Sequence, residues 1–213
     1  MLFRSVGCST SGEICGVDVT DDSVVATAIE LEHSMLRTAS VRLADASQSA
    51  AAGARLAREL AGDGLVHLFV LAEGINVNGS ELVRGLREAL PRQVAVTGGL
   101  AGDADRFMRT CVCYDGEALD GAVAGIAFYG DRFHVGYGSM GGWDSFGPDR
   151  TITRSDGNVL YELDGSSALE LYKSYLGPHA ADLPASGLLF PLSLAGEGDR
   201  RVVRTILGVD EAA

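Results

Sequence analysis

The stretch from Leu65 to Thr97 constrains the fold most, because its hydrophobic period changes twice over a short length. Leu65–Leu71 is an apolar run too short for a helix and reads as a buried strand. From about Ser80 to Leu90, residues Leu82, Val83, Leu86 and Leu90 recur at helical spacing. Asn78 stands three residues before Glu81, as in a capping box, and Pro91 stops the helix. Val94–Thr97 then returns to a short apolar run. Strand, helix and strand in succession make a β-α-β unit, so the expected fold class is α/β, with mixed sheets and helices.

The same reasoning predicts further strands at Leu2–Gly7, Val24–Leu31, Phe107–Tyr114, Ala122–Phe128 and Phe133–Tyr137. A second helix, about Ser47 to Ala61, is rich in Ala, Leu and Arg and ends at Gly62, a candidate C-terminal glycine. A third follows the turn at Asp164-Gly165, with Ala168, Leu171, Tyr172 and Tyr175 on one face and Gly177-Pro178 closing it. Past Pro178 the composition shifts, and Leu188–Leu194 and Val202–Leu207 read as two more strands. The glycine-rich run Gly136–Gly147 around Trp143 reads as a long loop or a corner joining domains. Trp143 either anchors that loop or stacks on a ligand, anchoring being the commoner use.

With 213 residues, 46% of them hydrophobic and 22% charged, the chain can bury a substantial core. It has no apolar run of the ~18 residues that suggest a membrane helix, and its opening residues lack the apolar stretch of a secretory signal. A cytoplasmic location away from membranes is therefore expected. Seventeen Lys and Arg stand against 29 Asp and Glu, a net charge of -12, with no basic cluster. Nucleic acid is disfavoured as a partner, because neutralising its phosphates needs such a cluster. Cys8, Cys15, Cys111 and Cys113 form no CxxC pair, so reduced thiols are expected; zinc is disfavoured and no cofactor is implied.

Val6-Gly-Cys-Ser-Thr-Ser-Gly-Glu13 aligns with Val96-Thr-Gly-Gly-Leu-Ala-Gly-Asp103 at a constant offset of 90, position 6 with 96 and 13 with 103. Each is a strand end, a small-residue loop, then Gly and an acid, with an apolar strand expected downstream near Asp22 or Asp120. This predicts two pseudo-symmetric repeats whose loops face one another. The second loop is preceded by a full strand and helix and the first is not, which reads as a piece of a longer protein.

The loop Cys8, Ser9, Thr10, Ser11, Gly12 and Glu13 combines a thiol, three hydroxyls and a carboxylate at a strand end. Such loops present N–H groups and hydroxyls to small polar ligands, or spend them on their own backbone. Cys8 as nucleophile is the sharper alternative, a cysteine hydrolase or transferase. It needs a nearby base, and none of His33, His67, His134 and His179 has a recognisable catalytic context. The second loop, with Thr97, Gly98, Gly99, Gly102 and Asp103, lacks the Lys and Ser/Thr of a phosphate-binding loop and reads as the other wall of a pocket. Between strand and helix, Glu73 and Asn76 lie on a polar turn, and the Asn76 amide, both donor and acceptor, suits a zwitterion. Asp103 with Arg106 or Arg109 can supply a charge pair at the same mouth, although such surface charges are more often merely solvated. Cys111 and Cys113 alternate as small buried strand residues do.

Several ordered landmarks together resemble the FIST proteins, built of an N-terminal and a C-terminal FIST domain. They are Val6–Ile14, Phe69-Val-Leu, Val96–Asp103 with Arg106-Phe107 and Arg109-Thr110 after it, and Val159–Gly165 followed by Ala168–Tyr172. The resemblance implies that residues 1–163 are most of an N-terminal sensory domain lacking its first strand and helix, and that 164–213 begin the C-terminal domain. It also implies a non-catalytic bacterial sensor for small ligands, with amino acids the usual suggestion, that signals to histidine kinase, cyclic-nucleotide or chemotaxis modules. The turn Glu73–Gly79 departs from the family's Asp-Gly-rich pattern there. A protein-interaction module without a ligand is the remaining alternative.

Overall fold

The computed structural model describes residues 4–138, 143–196 and 201–211. The chain divides into two compact units, Met1–Tyr137 and Gly138–Ala213. The first contains β1 (Val6–Cys8), β2 (Glu13–Cys15), β3 (Asp18–Thr20), β4 (Met35–Arg42), α1 (Ser49–Leu60), β5 (Leu65–Ala72), α2 (Gly79–Ala89), β6 (Ala95–Leu100), β7 (Val112–Tyr114), β8 (Glu117–Leu119) and β9 (Ala122–Tyr129).

Its main sheet has the order β4-β9-β5-β6, with β5 and β6 parallel and the other pairs antiparallel. The parallel pair is the predicted β-α-β unit, and its α2 starts where expected: the Asn78 side chain accepts the Glu81 N–H at 3.2 Å. Side chains alternate across β5, so Leu68, Val70 and Ala72 join Leu56, Leu60, Leu82 and Leu86 from the two helices in one core. The helices meet backbone to backbone. A Cβ on Gly53 would lie 2.4 Å from the Leu82 carbonyl oxygen, and one on Gly85 would lie 1.9 Å from that of Ala50. At the far end of α1, Arg37 from β4 donates to the Glu59 and Ala61 carbonyls at 2.9 and 3.3 Å, and the Tyr129 hydroxyl donates to Leu60. A cation placed there complements the negative end of the helix dipole.

A second, antiparallel sheet, β1-β7-β8, brings Gly7 opposite Cys113 and Cys8 opposite Val112; β2 and β3 form a separate hairpin. The two aligned segments of the predicted repeat thus fall in different settings: β1 is antiparallel to β7, whereas β6 is an edge strand parallel to β5. They do not appear as equivalent units.

Several expectations need correction. Residues Val24–Leu31 form no strand and are largely exposed; the strand is β4, whose mixed sequence hides it because Ala39 and Val41 carry its contribution to the core. Phe133–Tyr137 forms no strand either. Only Val112–Tyr114 of the predicted Phe107–Tyr114 strand pairs, since Phe107 sits at φ 49 in the preceding turn. Gly62 does not cap α1 in a left-handed conformation: Ala61 is already extended, and Gly64 takes the positive φ, at 76.

In the second unit, β10 (Ile152–Asp156) and β11 (Val159–Leu163) form a hairpin around Gly157, to which β12 (Ser166–Ser167) adds. Next come α3 (Ala168–Leu176), capped by the Ser167 side chain, and a pair of antiparallel strands, β13 (Leu192–Ala195) and β14 (Arg201–Arg204). The strand expected from Leu188 begins instead at Leu192, after a short 3-10 turn at Ala185–Leu188. In the expected Gly136–Gly147 loop, Trp143 is exposed, and residues 139–142 lie outside the described residues.

Candidate functional site

The most organised polar group in the first unit is Glu73, immediately beyond the carboxyl end of β5, with 1% of its surface exposed. A buried carboxylate is costly unless donors surround it. Three do: the Ile75 N–H at 2.9 Å, the Asn76 N–H at 2.6 Å and the Thr110 hydroxyl. Thr110 in turn accepts the Gly74 N–H at 2.8 Å, which ties the turn after β5 to the segment before β7. Gly74 is needed because a Cβ there would lie 1.9 Å from the Ala101 carbonyl oxygen. Glu73 is therefore the keystone of the turn, its two oxygens occupied by the chain itself.

Over this turn lies a cleft of about 220 Å³ whose wall includes Glu73, Asn76, Arg109, Thr110, Asp120 and Gly121. Arg109 donates from Nε and Nη2 to the two oxygens of Asp120, both at 3.0 Å. Hydrogen bonding within this pair raises the pKa of Arg109 and lowers that of Asp120, so both stay charged. Both are largely exposed, at 71% and 61%, which screens the pair and leaves its outer donors and lone pairs open to a third group. The Asn76 side-chain amide is exposed and makes no hydrogen bond among the described residues.

Glu73, Asn76 and Arg109 all lie on the wall of this cleft. Thr110 and Asp120 complete the arrangement and were not foreseen as site residues. The signal for Asp120 was its Asp-Gly turn, Asp120-Gly121. Arg109 pairs with Asp120, not with Asp103. The Asp103 carboxylate accepts the backbone N–H groups of Met108 and Arg109, at 2.8 and 3.0 Å. Burial pushes its pKa up, but those N–H groups, that of Phe107 and the Arg106 charge outweigh it and hold the carboxyl below its usual range.

The two small-residue loops meet and hydrogen-bond directly to one another. The Gly102 N–H donates to the Ser9 carbonyl at 3.0 Å, and the Ala104 N–H donates to Ser11 Oγ at 3.1 Å. A Cβ on Gly102 would lie 2.2 Å from Ser11 Oγ. The Ser9 hydroxyl accepts the Cys111 N–H, and the Thr10 hydroxyl donates to Glu13 at 2.6 Å. The loop's hydroxyls are therefore spent on the chain, and Gly12 takes the positive φ, at 141, that its turn demands. Thr97, Gly98 and Gly99 belong to β6. Thr97 Oγ1 lies 2.9 Å from His67 Nε2, Gly98 packs against the Val70 carbonyl, and Gly99 is exposed, so none of the three lines the cleft.

Cys8 is half-buried, and burial, then the neighbouring Cys113 and Cys111, push its thiol pKa up. A nucleophilic cysteine needs the opposite shift. All four cysteines are free thiols, and among the described residues no three His, Cys, Asp or Glu side chains come together as a cation site.

The first unit is thus an α/β domain with a small polar cleft beyond the carboxyl end of a sheet strand, where ligands of such sheets bind. The family model for the FIST N domain matches residues 3–166, and the chain belongs to the FIST family. That family consists of small-ligand-sensing domains of signalling proteins and is sensory in character, not catalytic. No curated protein and no solved structure matches the chain. Among the described residues no helix is long and apolar enough to cross a membrane.

Proposed function

We propose that this chain senses a small zwitterion, an α-amino acid or close relative, in the cleft over Glu73. The sensor passes the signal to a bacterial signalling module such as a histidine kinase, a cyclic-nucleotide enzyme or a chemotaxis protein in the cytoplasm. The observation that carries the reading is the juxtaposition of an exposed Arg109–Asp120 pair with the unpartnered Asn76 amide around about 220 Å³ of space. Drug-sized ligands occupy about 300–1,000 Å³, so this cleft suits something smaller. The ligand's carboxylate pairs with the unused N–H groups of Arg109, its ammonium with Asp120, and Asn76 supplies the orienting hydrogen bond. Glu73 holds the turn and does not touch the ligand.

Calorimetric titration with the standard amino acids tests this. The expected result is saturable binding to the parent, weakened at least about tenfold in Arg109→Ala and in Asp120→Asn. Because Arg109 holds the Asp120 carboxyl below its ordinary range, affinity stays level from neutral pH down to about 5 and falls only as Asp120 is protonated at lower pH. Binding of equal strength in both variants would remove this cleft as the site.

A further inference from the structure

A second cleft lies at the other end of β5, lined by Val66, His67, Ala95, Asp131, Phe133 and Val135 among others, with a volume of about 230 Å³. His67 and Glu73 are six residues apart on an extended chain, which separates the two clefts by about 20 Å. The His67 side chain is unusual for a sheet interior. Only 3% of the residue is exposed, and although its Nε2 meets Thr97 Oγ1 at 2.9 Å, its Nδ1 has no hydrogen-bond partner among the described residues. A buried ring nitrogen without a partner costs about 1–3 kcal/mol, so it marks a place where something else supplies the bond.

The surroundings restrict what that is. Burial lowers the His67 pKa, so the ring is neutral near pH 7 and presents either a lone pair or an N–H at Nδ1, according to what Thr97 does at Nε2. Phe133 stacks on Phe128 with ring centroids 4.5 Å apart, and Phe128 in turn meets the His67 ring at 6.2 Å, so one wall of the cleft is aromatic. Val66 and Val135 add apolar surface, Asp131 supplies a carboxylate and His134 a second imidazole. These side chains are not assembled as a cation site. We infer that this cleft is a separate binding site for a small planar nitrogen heterocycle, its ring against Phe133 and the valines. One ring nitrogen bonds His67 Nδ1, and an N–H on the opposite edge is turned to Asp131. An azole meets both demands when the Thr97 hydroxyl donates to His67 Nε2: the Nδ1–H of His67 then donates to the azole's bare nitrogen, and the azole N–H donates to Asp131. Thr97 acts as a positioning residue, fixing the ring of His67.

The test is a long-range nitrogen–proton NMR spectrum of the full chain, which reads the His67 ring nitrogens directly, recorded while imidazole is titrated in. The expected result is a saturable shift of Nδ1, with affinity weakened at least about tenfold in Ala95→Leu, which fills the cleft beside His67. The shift is unchanged in Arg109→Ala, which damages only the cleft over Glu73. If Ala95→Leu fails to fold, Val135→Trp, on the irregular segment after β9, fills the same space and is expected to behave likewise. The inference is overturned if Nδ1 shows only a water partner that imidazole does not displace, or if the shift is as strong in the filled variants as in the parent.

Discussion

At the scale of single residues, the clearest energetic statement concerns Glu73 and Thr110. Thr110 is itself buried, so its hydroxyl is one of three donors on a carboxylate that water does not reach. Replacing it with Val keeps the shape and removes the bond to the carboxylate together with the acceptor for the Gly74 N–H. Hydrogen bonds to charged groups contribute about 1.5–3 kcal/mol, and stranding a buried partner adds to that. Thr110→Val is therefore expected to lower the free energy of unfolding by about 2–4 kcal/mol in urea titration, combining those two contributions, while Thr110→Ser keeps most of it. Equal stability of the Val variant and the parent would mean that the carboxylate is hydrated and the turn is held by other means. Both Glu73 oxygens are consumed by the chain, so this residue is spent on building the turn.

At the scale of elements, the crossing of α1 and α2 rests on two glycines, and a substitution there sets two known effects against each other. Alanine in a helix interior is favoured over glycine by about 1 kcal/mol. Overpacking a close contact costs about 1–3 kcal/mol, and here the new Cβ of Gly85→Ala would lie 1.9 Å from a backbone oxygen that cannot rotate away. The helices must separate, so the net change is expected to be destabilising despite the better helix former, visible as a lower denaturation midpoint with unchanged slope. A rise in stability would show that the helices slide freely on the sheet. Glycine at position 85 was legible as part of a helix but not as a crossing point, because a contact between two elements leaves no periodic trace in either. The β-α-β unit and its Asn78 cap were legible for the opposite reason: period, cap and stop are all local. Strand β4 escaped notice since Thr38, Ser40 and two arginines break up its apolar run, and Val24–Leu31 misled because apolar composition alone does not provide a partner strand. The candidate site was half legible in the same way. Residues 73–76 announce themselves as a polar turn after a strand, whereas Asp120 reaches Arg109 only through the tertiary path of β7 and β8. The small-residue loops looked like pocket walls, yet the Ser9 and Ser11 hydroxyls satisfy backbone N–H groups and that of Thr10 is spent on Glu13.

At the scale of the whole molecule, the two compact units differ sharply in what they bury. The first holds the entire hydrophobic core cluster, from Val41 to Tyr129. In the second, Ala168 and Leu176 are the buried apolar residues among those described, while Phe146, Leu189, Phe190, Val202, Val203 and Leu207 are exposed. Burying a large aliphatic side chain contributes about 1.5–3 kcal/mol, and each ordered residue costs about 1–2 kcal/mol of backbone entropy. The strands and helices of the described residues therefore do not share one stability. Regions with few buried apolar contacts and exposed backbone hydrogen bonds open at low free energy. Native-state hydrogen exchange is expected to find the slowest amides in β5 and β9, which pair with each other at the centre of the main sheet, and fast exchange through β13 and β14. Limited proteolysis is expected to cut within the second unit and leave a resistant fragment containing both clefts. If β13 and β14 were protected as strongly as β5 and β9, the second unit would have to draw its stability from apolar contacts other than those of its own described residues. In that case the single most informative follow-up would be the concentration dependence of that protection, since association between chains strengthens with concentration and contacts within one chain do not.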